Sequence, residues 1–124
     1  MVRYLVADLD AAVAFYTENL EFAEEVHAPP GFAMLSRGGL RLLLSVAGVP
    51  GAGGRLPDGT LPEPGGWNRI TLEVSDLTAT VEALRDKGIR LRTGILTGVT
   101  VRQVLLRDPS GNLIELFERR RNAR

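Results

Sequence analysis

The chain has 124 residues, which is enough for one domain with a sizeable core. Its formal net charge is zero, so no long-range field attracts nucleic acid or an acidic membrane surface, and it has no cysteine for disulfides, thiolate catalysis or thiolate metal ligands. No apolar run approaches the roughly 20 residues that span a bilayer, and MVRYLVADLD carries acids where a signal peptide has its apolar stretch. We therefore expect a cytoplasmic protein with neither a nucleic-acid nor a membrane partner.

The first half of the chain predicts one strand, one helix and three further strands. The alternating run from Val2 predicts the first strand, and Asp8 suits the N-cap of the helix that follows. The runs EFAEEV, GFAMLS and LRLLLSV follow as strands, with the tight turn SRGG between the last two. The first half therefore has the order β-α-β-β-β. Apolar residues three or four positions apart form one face of the helix: Leu9, Val13, Tyr16 and Leu20.

Residues 47 to 66, AGVPGAGGRLPDGTLPEPGG, differ in composition from the rest of the chain. This segment is rich in Gly and Pro and has few large apolar side chains, so it forms neither a regular helix nor a central strand. We interpret it as a linker loop between a first module, 1–46, and a second module, 67–124, within one structural domain.

The second half repeats the pattern of the first. Superposing ITLEVSDLTATVEAL on VRYLVADLDAAVAFY places Asp76 on Asp8 and Leu77 on Leu9. The second helix ends at Lys87-Gly88, where Gly suits the left-handed C-terminal position. The runs IRLRT, VRQVLL and LIELFE are predicted strands, with the turn RDPSGN between the last two. A repeat of this size suggests duplication, with neither half burying its sheet face alone.

The C-terminal end, RRRNAR from Arg119, is the one strongly basic segment. We interpret it as a solvated, frayed tail.

Two motifs carry a resemblance to a known family. VADLDAAVAFYTENLEF resembles the opening of the vicinal-oxygen-chelate superfamily, which includes glyoxalase I, extradiol dioxygenases and the bleomycin-resistance proteins. LLRDPSGNLIELFE resembles its closing motif, a turn followed by a Glu-bearing strand. The resemblance implies an α+β fold in which two β-α-β-β-β modules form a cup-shaped, open mixed-sheet barrel with the helices outside, and it implies a homodimer. It leaves function open, because the family spans lyases, isomerases, dioxygenases and plain binders.

In metal-dependent relatives four side chains, usually His and Glu, hold a divalent metal. The resemblance places these positions at Met1, Leu43, Arg69 and Glu115, of which only Glu115 carries a ligand-capable group. A guanidinium stays cationic and repels a divalent ion, so we expect a metal-free member with no metal ligand and no cofactor. The one histidine, His27, opens the loop EVHAPPGF outside these positions. We interpret it as an exposed or rim residue, with a general base near the cup mouth as the alternative.

Strand alternation predicts which side chains face the cup. Val2, Tyr4 and Val6 alternate with them and are expected to pack against the helix. The resulting lining mixes apolar walls with a few polar groups, as suits a small organic ligand. The predicted ligand-binding residues are Arg3, Leu5, Arg41, Leu43, Trp67, Arg69, Thr71, Glu73, Gln103, Leu105, Leu113 and Phe117.

The aromatic and cationic members of this set have alternative roles. Trp67 could stack on a flat ligand, and Arg3, Arg41 or Arg69 could meet a carboxylate, phenolate or carbonyl. Alternatively, each arginine neutralises a buried acid. Because Arg69 and Glu115 both occupy former metal-ligand positions, they should lie close, and an ion pair there would replace the charge of the metal. Both roles stay open for Arg69.

Two main functional hypotheses follow. The first is a metal-independent protein that binds an aromatic or natural-product ligand, for antibiotic sequestration or transport. The second is a metal-free lyase, isomerase or cyclase with Glu115 as the catalytic acid or base, Glu73 or His27 as its partner, and Arg69 stabilising an oxyanion. An Arg69–Glu115 pair would make that carboxylate a poor base, so the distance between them discriminates. A metal-dependent glyoxalase or dioxygenase requires a different alignment, and a vestigial cavity would leave only a scaffold role. We adopt the binding hypothesis.

Overall fold

The computed structural model describes residues 1–120. The chain divides into two compact units, each with one helix and one open, mixed four-stranded sheet. The first unit comprises Met1–Gly66 together with Asp108–Asn112, and the second comprises Trp67–Arg107 and, among the described residues, 113–120. The predicted α+β class with a repeated β-α-β-β-β order is confirmed. The proposed subdivision at 46 and 67 stays a prediction.

In the sheet of the first unit, the strand that precedes the Gly/Pro segment is an inner strand with a neighbour on each side. Its elements are β1 (Val2–Val6), α1 (Leu9–Asn19), β2 (Ala23–Ala28), β3 (Phe32–Arg37) and β4 (Leu40–Val46). The strand order is β1-β4-β3-β2, in which β1 is parallel to β4 and the other pairs are antiparallel. The parallel pair requires a crossover, which α1 and the two outer strands supply.

Helix α1 begins where the sequence predicts. The Asp8 carboxylate accepts a hydrogen bond from the backbone N–H of Ala11 at 3.0 Å and so satisfies one free donor of the first turn. At the other end, the backbone N–H of Leu20 donates to the Tyr16 carbonyl at 3.1 Å, and Glu21 takes a left-handed φ of 60° that ends the helix. The buried helix face consists of Leu9, Ala12, Val13 and Tyr16.

The second unit repeats this arrangement. Its elements are β5 (Arg69–Glu73), α2 (Leu77–Asp86), β6 (Leu96–Thr97), β7 (Val101–Arg107) and β8 (Leu113–Arg119), with strand order β5-β8-β7-β6. Asp76 caps α2 by accepting from the Ala79 backbone N–H at 3.0 Å, and Gly88 follows the helix with a φ of 78°. Among the described residues, neither helix has the length and apolarity that a membrane crossing requires.

The predicted strand IRLRT is wrong. Of these residues, only Leu91 forms a bridge, to Leu106, and the regular strand comes later, at Leu96–Thr97. The backbone N–H groups of Arg92 and Thr93 both point to the Leu105 carbonyl, and the Leu105 N–H donates to the Thr93 hydroxyl at 3.1 Å. These bonds replace a regular ladder, so the alternating side chains of IRLRT do not produce a strand.

The predicted frayed tail is also wrong for its first two residues. Arg119 closes β8, and the backbone N–H of Arg120 donates to the Thr100 carbonyl at 2.9 Å. The Arg120 guanidinium donates to the Gly98 carbonyl at 2.7 Å. The carbonyls of Gly98 and Thr100, just before β7, therefore hold Arg120, and the rest of the predicted tail, 121–124, lies outside the described residues.

The turn Asp108–Asn112, which follows β7 and belongs to the first unit, buries its two end residues. Asp108 is 5% exposed, and its carboxylate accepts from the Tyr16 hydroxyl at 2.8 Å and from the side-chain amide of Asn112 at 2.9 Å. The backbone N–H groups of Ser110 and Asn112 each donate to its other oxygen at 2.9 Å. The Asn112 amide also donates to the Leu5 carbonyl at 2.7 Å. These four donors satisfy a carboxylate that would otherwise be costly to bury.

Tyr16→Phe should lower the free energy of unfolding by about 1–3 kcal/mol. The buried Asp108 carboxylate loses a donor, while the ring keeps its edge-to-face contacts with Phe15 and Phe22. Urea unfolding measures the loss. In an Asp108→Asn background the same substitution should cost less, because the charge is gone. Equal stability of Tyr16→Phe and the parent would contradict this role.

The stability of the protein should also depend on alkaline pH through Tyr16. Burial, and secondarily the charge of Asp108, raises the pKa of the Tyr16 hydroxyl well above its ordinary value. The unfolded chain therefore releases the Tyr16 proton at a lower pH than the folded protein does. For this reason the contribution of Tyr16 to the free energy of unfolding is complete below about pH 10 and is lost as the pH rises beyond it. Above that pH, the free energy of unfolding of the parent should fall more steeply than that of Tyr16→Phe. Parallel curves would contradict the expectation.

Candidate functional site

The sheet of the second unit has one face towards α2 and one face away from it. Residues such as Ile70, Leu72, Ile114 and Leu116 are buried on the helix side. We call the opposite side the open face, and strand alternation assigns to it the remaining residues of β5, β7 and β8. It carries the second-half residues predicted to bind ligand: Arg69, Thr71, Glu73, Gln103, Leu105, Leu113, Phe117 and, beside them, Glu115. Of these, Leu113 is fully buried and contributes packing.

Glu115 lies at the centre of the open face, opposite Thr71 on β5 and Leu105 on β7. Arg69 donates from Nε to its Oε1 at 3.0 Å. The surroundings of the Gln103 side-chain amide require its nitrogen, and not its oxygen, to face this carboxylate; in that orientation the nitrogen donates to Oε2 at 3.0 Å and to Oε1 at 3.3 Å. The carboxylate is therefore held by diagonal neighbours from both adjacent strands. The predicted proximity of Arg69 and Glu115 is confirmed.

The exposure of this pair is unequal. The Glu115 side chain is 13% exposed and that of Arg69 is 34% exposed. The carboxylate therefore lies mostly out of water, whereas the guanidinium keeps part of its surface open to solvent. Because Gln103 and Arg69 occupy both carboxylate oxygens, Glu115 is poorly placed to take a proton from a substrate.

A second ion pair of the same geometry lies nearby on the open face. Arg119 donates from Nε to Oε2 of Glu73 at 3.0 Å, and these side chains are 74% and 50% exposed. The register of β5 with β8 places Glu73 opposite Phe117. This pair lies two residues along the strands from the pair of Thr71 with Glu115. Each carboxylate thus has its own arginine, so Glu73 is not arranged as an acid–base partner of Glu115.

Trp67 lies two residues before β5 begins at Arg69 and is 68% exposed. The guanidinium carbon of Arg107 lies 5.9 Å from the centroid of its ring, within cation–π range. Sequence reasoning missed Arg107, although Arg107 lies two residues after Leu105 and four after Gln103 along β7 and so shares their face. One side of the indole thus faces a cation, and most of its surface remains accessible.

In the first unit, the predicted residues lie on the face away from α1. The register of β1 with β4 places Arg3 opposite Leu43 and Leu5 opposite Ser45, and Arg41 precedes Leu43 by two residues. Arg3 and Arg41 are exposed, Leu5 is half-buried, and Leu43 is only 8% exposed. Leu43 therefore contributes mainly packing, whereas both arginines are available to a ligand.

The predicted location of His27 is wrong. It lies within β2 and not at the start of a loop, because the antiparallel pairing of β2 with β3 continues as far as Ala28. His27 pairs with the buried Ala33, and its Nε2 lies 3.4 Å from Asp10 in the first turn of α1. Its Nδ1 lies 2.8 Å from Glu24. The ring therefore faces the helix side of the first sheet, opposite to Arg3.

Comparison with protein families decides the classification. The model of the Glyoxalase/Bleomycin resistance protein/Dioxygenase superfamily matches residues 1–116. The chain belongs to this superfamily. The resemblance seen in the opening and closing motifs is therefore confirmed over nearly the whole chain. No curated protein matches the chain significantly, so the superfamily alone leaves the activity open.

Solved structures with this fold carry different functional names. A virulence protein from Salmonella typhimurium is 25% identical, with a TM-score of 0.74 over 94% of this chain and 92% of its own. A lactoylglutathione lyase from Agrobacterium tumefaciens is 21% identical, with a TM-score of 0.73 over 95% and 91%. TnmS3, an antibiotic binding protein from Streptomyces sp. CB03234, is 23% identical, with a TM-score of 0.70 over 96% and 93%. These similarities establish the shared fold.

The side chains of this superfamily member do not fit the divalent metal of metal-dependent relatives. The positions that the resemblance assigns to ligands carry Met1, Leu43, Arg69 and Glu115, and Arg69 and Gln103 already occupy the one carboxylate among them. Within residues 1–120, no three His, Asp or Glu side chains gather as a metal ion would require. A guanidinium also repels a divalent cation.

A double-mutant cycle tests the central ion pair. With Arg69→Met and Glu115→Gln, urea unfolding should give a coupling energy of about 0.5–1.5 kcal/mol, because the carboxylate is largely shielded from water. Glu73 and Arg119 provide a matched control with the same atoms and distance but greater exposure. Their cycle, with Glu73→Gln and Arg119→Met, should give about 0–0.5 kcal/mol. Equal coupling energies for the two pairs would contradict the expectation that the shielded pair contributes more to stability than the exposed pair.

Proposed function

We propose that this superfamily member is a cytoplasmic, metal-independent protein that binds a small aromatic or natural-product ligand, for antibiotic sequestration or for transport. The observation that carries the proposal is the ion pair between Arg69 and Glu115. It occupies two positions that hold metal ligands in metal-dependent relatives, and it joins them at 3.0 Å. The charge that a metal would supply is thereby replaced by an internal counter-ion.

The state of Glu115 favours binding over catalysis. A general base needs an available lone pair within hydrogen-bond reach of the proton that it removes, and a carboxylate offers about four lone-pair sites. Here Arg69 and Gln103 donate to both oxygens. This arrangement suits a rigid polar floor that orients a ligand, and it disfavours the alternative of a metal-free lyase, isomerase or cyclase that uses Glu115 as its acid or base.

Trp67 provides the aromatic surface for such a ligand. Its ring is 68% exposed, which is unusual for the single tryptophan of a small chain, and Arg107 lies over it. Leu105 and Phe117, both half-buried on the open face, add apolar area. A flat ligand could stack on the indole while its oxygens meet the exposed part of Arg69. The shared fold with an antibiotic binding protein is compatible with this role.

The proposal includes a homodimer. Several large apolar residues are exposed on or beside edge strands of the two sheets: Val26 in β2, at 40%, Leu96 in β6, at 47%, and Val99, at 87%. Edge strands with exposed apolar side chains favour association with another chain. Light scattering of the purified protein should therefore give the mass of two chains, and the mass of one chain would contradict this part of the proposal.

A thermal-shift screen tests the binding function. Planar aromatic natural products should raise the melting temperature, whereas Zn²⁺, Ni²⁺ and Mn²⁺ should not. Trp67→Ala should then weaken binding of the best compound by about 2–10-fold, because the stacking contact is lost. Its own melting temperature should change little, since the ring is largely exposed.

Leu56→Ala serves as the control for this screen, because Leu56 is 49% exposed and lies outside the open face. It should bind the compound as the parent does. Unchanged affinity of Trp67→Ala would show that the site is misplaced. If no compound stabilised the protein, the binding function itself would be wrong.

A further inference from the structure

The first unit contains a cleft of its own, which brings the predicted ligand-binding residue Arg3 together with chain segments that the sequence patterns did not indicate. Its volume is about 400 Å³, within the size range of small-molecule sites. Three side chains on the sheet face away from α1 form its floor: Arg3, Phe32 and Ser45. The chain segments 28–31 and 49–53 form its walls. The second of these walls belongs to the Gly/Pro segment that we interpreted only as a linker.

Specific contacts hold both walls against the end of β4. The backbone N–H of Gly48 donates to the Gly53 carbonyl at 2.8 Å, and that of Val46 donates to the Gly31 carbonyl at 2.9 Å. A Cβ atom on Gly53 would lie 2.1 Å from the Val46 carbonyl oxygen, which no side chain can tolerate. A Cβ atom on Gly31 would lie 2.9 Å from Cγ1 of Val49. Glycine is therefore required for the walls to close this tightly.

The cleft has two polar side chains, Arg3 and Ser45, and an otherwise apolar or glycine-rich lining. In the register of β1 with β4, Arg3 lies opposite Leu43, so Ser45 is its diagonal neighbour on the same face. Ser45 is only 3% exposed. Its hydroxyl makes no side-chain hydrogen bond, and Arg3 makes no ion pair, with any residue among 1–120. Both donors therefore remain available to a molecule in the cleft.

We propose that this cleft binds a small organic acid, with its carboxylate on Arg3 and Ser45 and its hydrocarbon body against Phe32, Pro30 and Val49. A guanidinium and a hydroxyl together offer the donors that two carboxylate oxygens accept. Arg3 is the only charged residue in the lining, so its single positive charge matches a monoanion better than a dianion such as phosphate. The apolar walls suit an aromatic or aliphatic body.

The first experiment compares benzoate with its neutral isostere benzamide by isothermal titration calorimetry. Benzoate should bind about tenfold or more tightly than benzamide, because only the anion gains the charge-assisted hydrogen bonds. Arg3→Gln should weaken benzoate binding by about tenfold and leave benzamide binding unchanged. Arg3 is exposed, so this variant should fold as the parent does. Arg90→Gln removes the same charge from another exposed position and should bind benzoate as the parent does.

Equal binding of benzoate and benzamide, or an Arg3→Gln variant with full affinity for benzoate, would overturn the proposal. Inorganic phosphate is the third probe. If it bound as tightly as benzoate and depended equally on Arg3, the site would be a general anion site and the organic-acid class would be wrong. Ser45→Ala should weaken benzoate binding by a smaller factor than Arg3→Gln, because the hydroxyl is neutral.

The wall is tested with glycine variants. Gly53→Ala should weaken benzoate binding, because the added methyl group displaces segment 49–53 from β4. Gly39→Ala is the matched control, since a Cβ atom there meets nothing within 4 Å, and it should retain the parent affinity. Full affinity in Gly53→Ala would contradict a role for this wall. These outcomes depend on Arg3 and Ser45 and not on Trp67, so they can fail while the proposed function stands, and the reverse also holds.

Discussion

The buried carboxylate of Asp108 is the constraint on which the first unit depends. A charge that is 5% exposed is stable only when donors surround it. The turn DPSGN supplies two backbone N–H groups and the Asn112 amide, and α1 supplies the Tyr16 hydroxyl. Because Asn112 also donates to the Leu5 carbonyl, the turn is fixed to β1 as well as to the helix. A sequence motif that reads as an ordinary hairpin turn thus organises the interior of a unit whose other residues come from the first half of the chain.

A shielded carboxylate on the open face of the second unit also needs donors around it, but here side chains on neighbouring strands supply them. Glu115 is largely shielded from water, and a metal ion would satisfy a carboxylate in such a place. Here Arg69 and Gln103 satisfy it from the two adjacent strands. The position that a histidine holds in metal-dependent relatives therefore carries the counter-ion itself. In the proposed metal-independent function, this pair satisfies the carboxylate that a metal would otherwise hold.

Local patterns in the sequence predicted most of the fold. Asp8 and Asp76 cap their helices as expected, and the turn after β7 was located correctly, because caps and tight turns depend on neighbouring residues alone. The proximity of Arg69 and Glu115 was also predictable, since it followed from the repeat and from the family alignment. The predictions were wrong where backbone groups far away in the sequence determine the local structure. IRLRT alternates as a strand does, yet the Leu105 carbonyl takes two of its N–H groups.

The candidate site was predicted less completely, for a related reason. The contact of Arg107 with Trp67 joins residues far apart in the chain, and it depends on where β7 ends. The Gly/Pro segment was interpreted from its composition, which indicates a loop but not that Gly53 must lie against the Val46 carbonyl. Composition identifies residues that avoid regular structure. It does not identify the surface that they build.

The most direct test of this account is the metal content of protein that is purified without chelator and then incubated with Zn²⁺, Ni²⁺, Mn²⁺ or Fe²⁺. Mass spectrometry of the native protein and elemental analysis after dialysis measure it. If the guanidinium of Arg69 has replaced the metal at Glu115, the bound metal should be substoichiometric under every condition. One equivalent of metal per chain that is lost on Glu115→Ala would contradict the account.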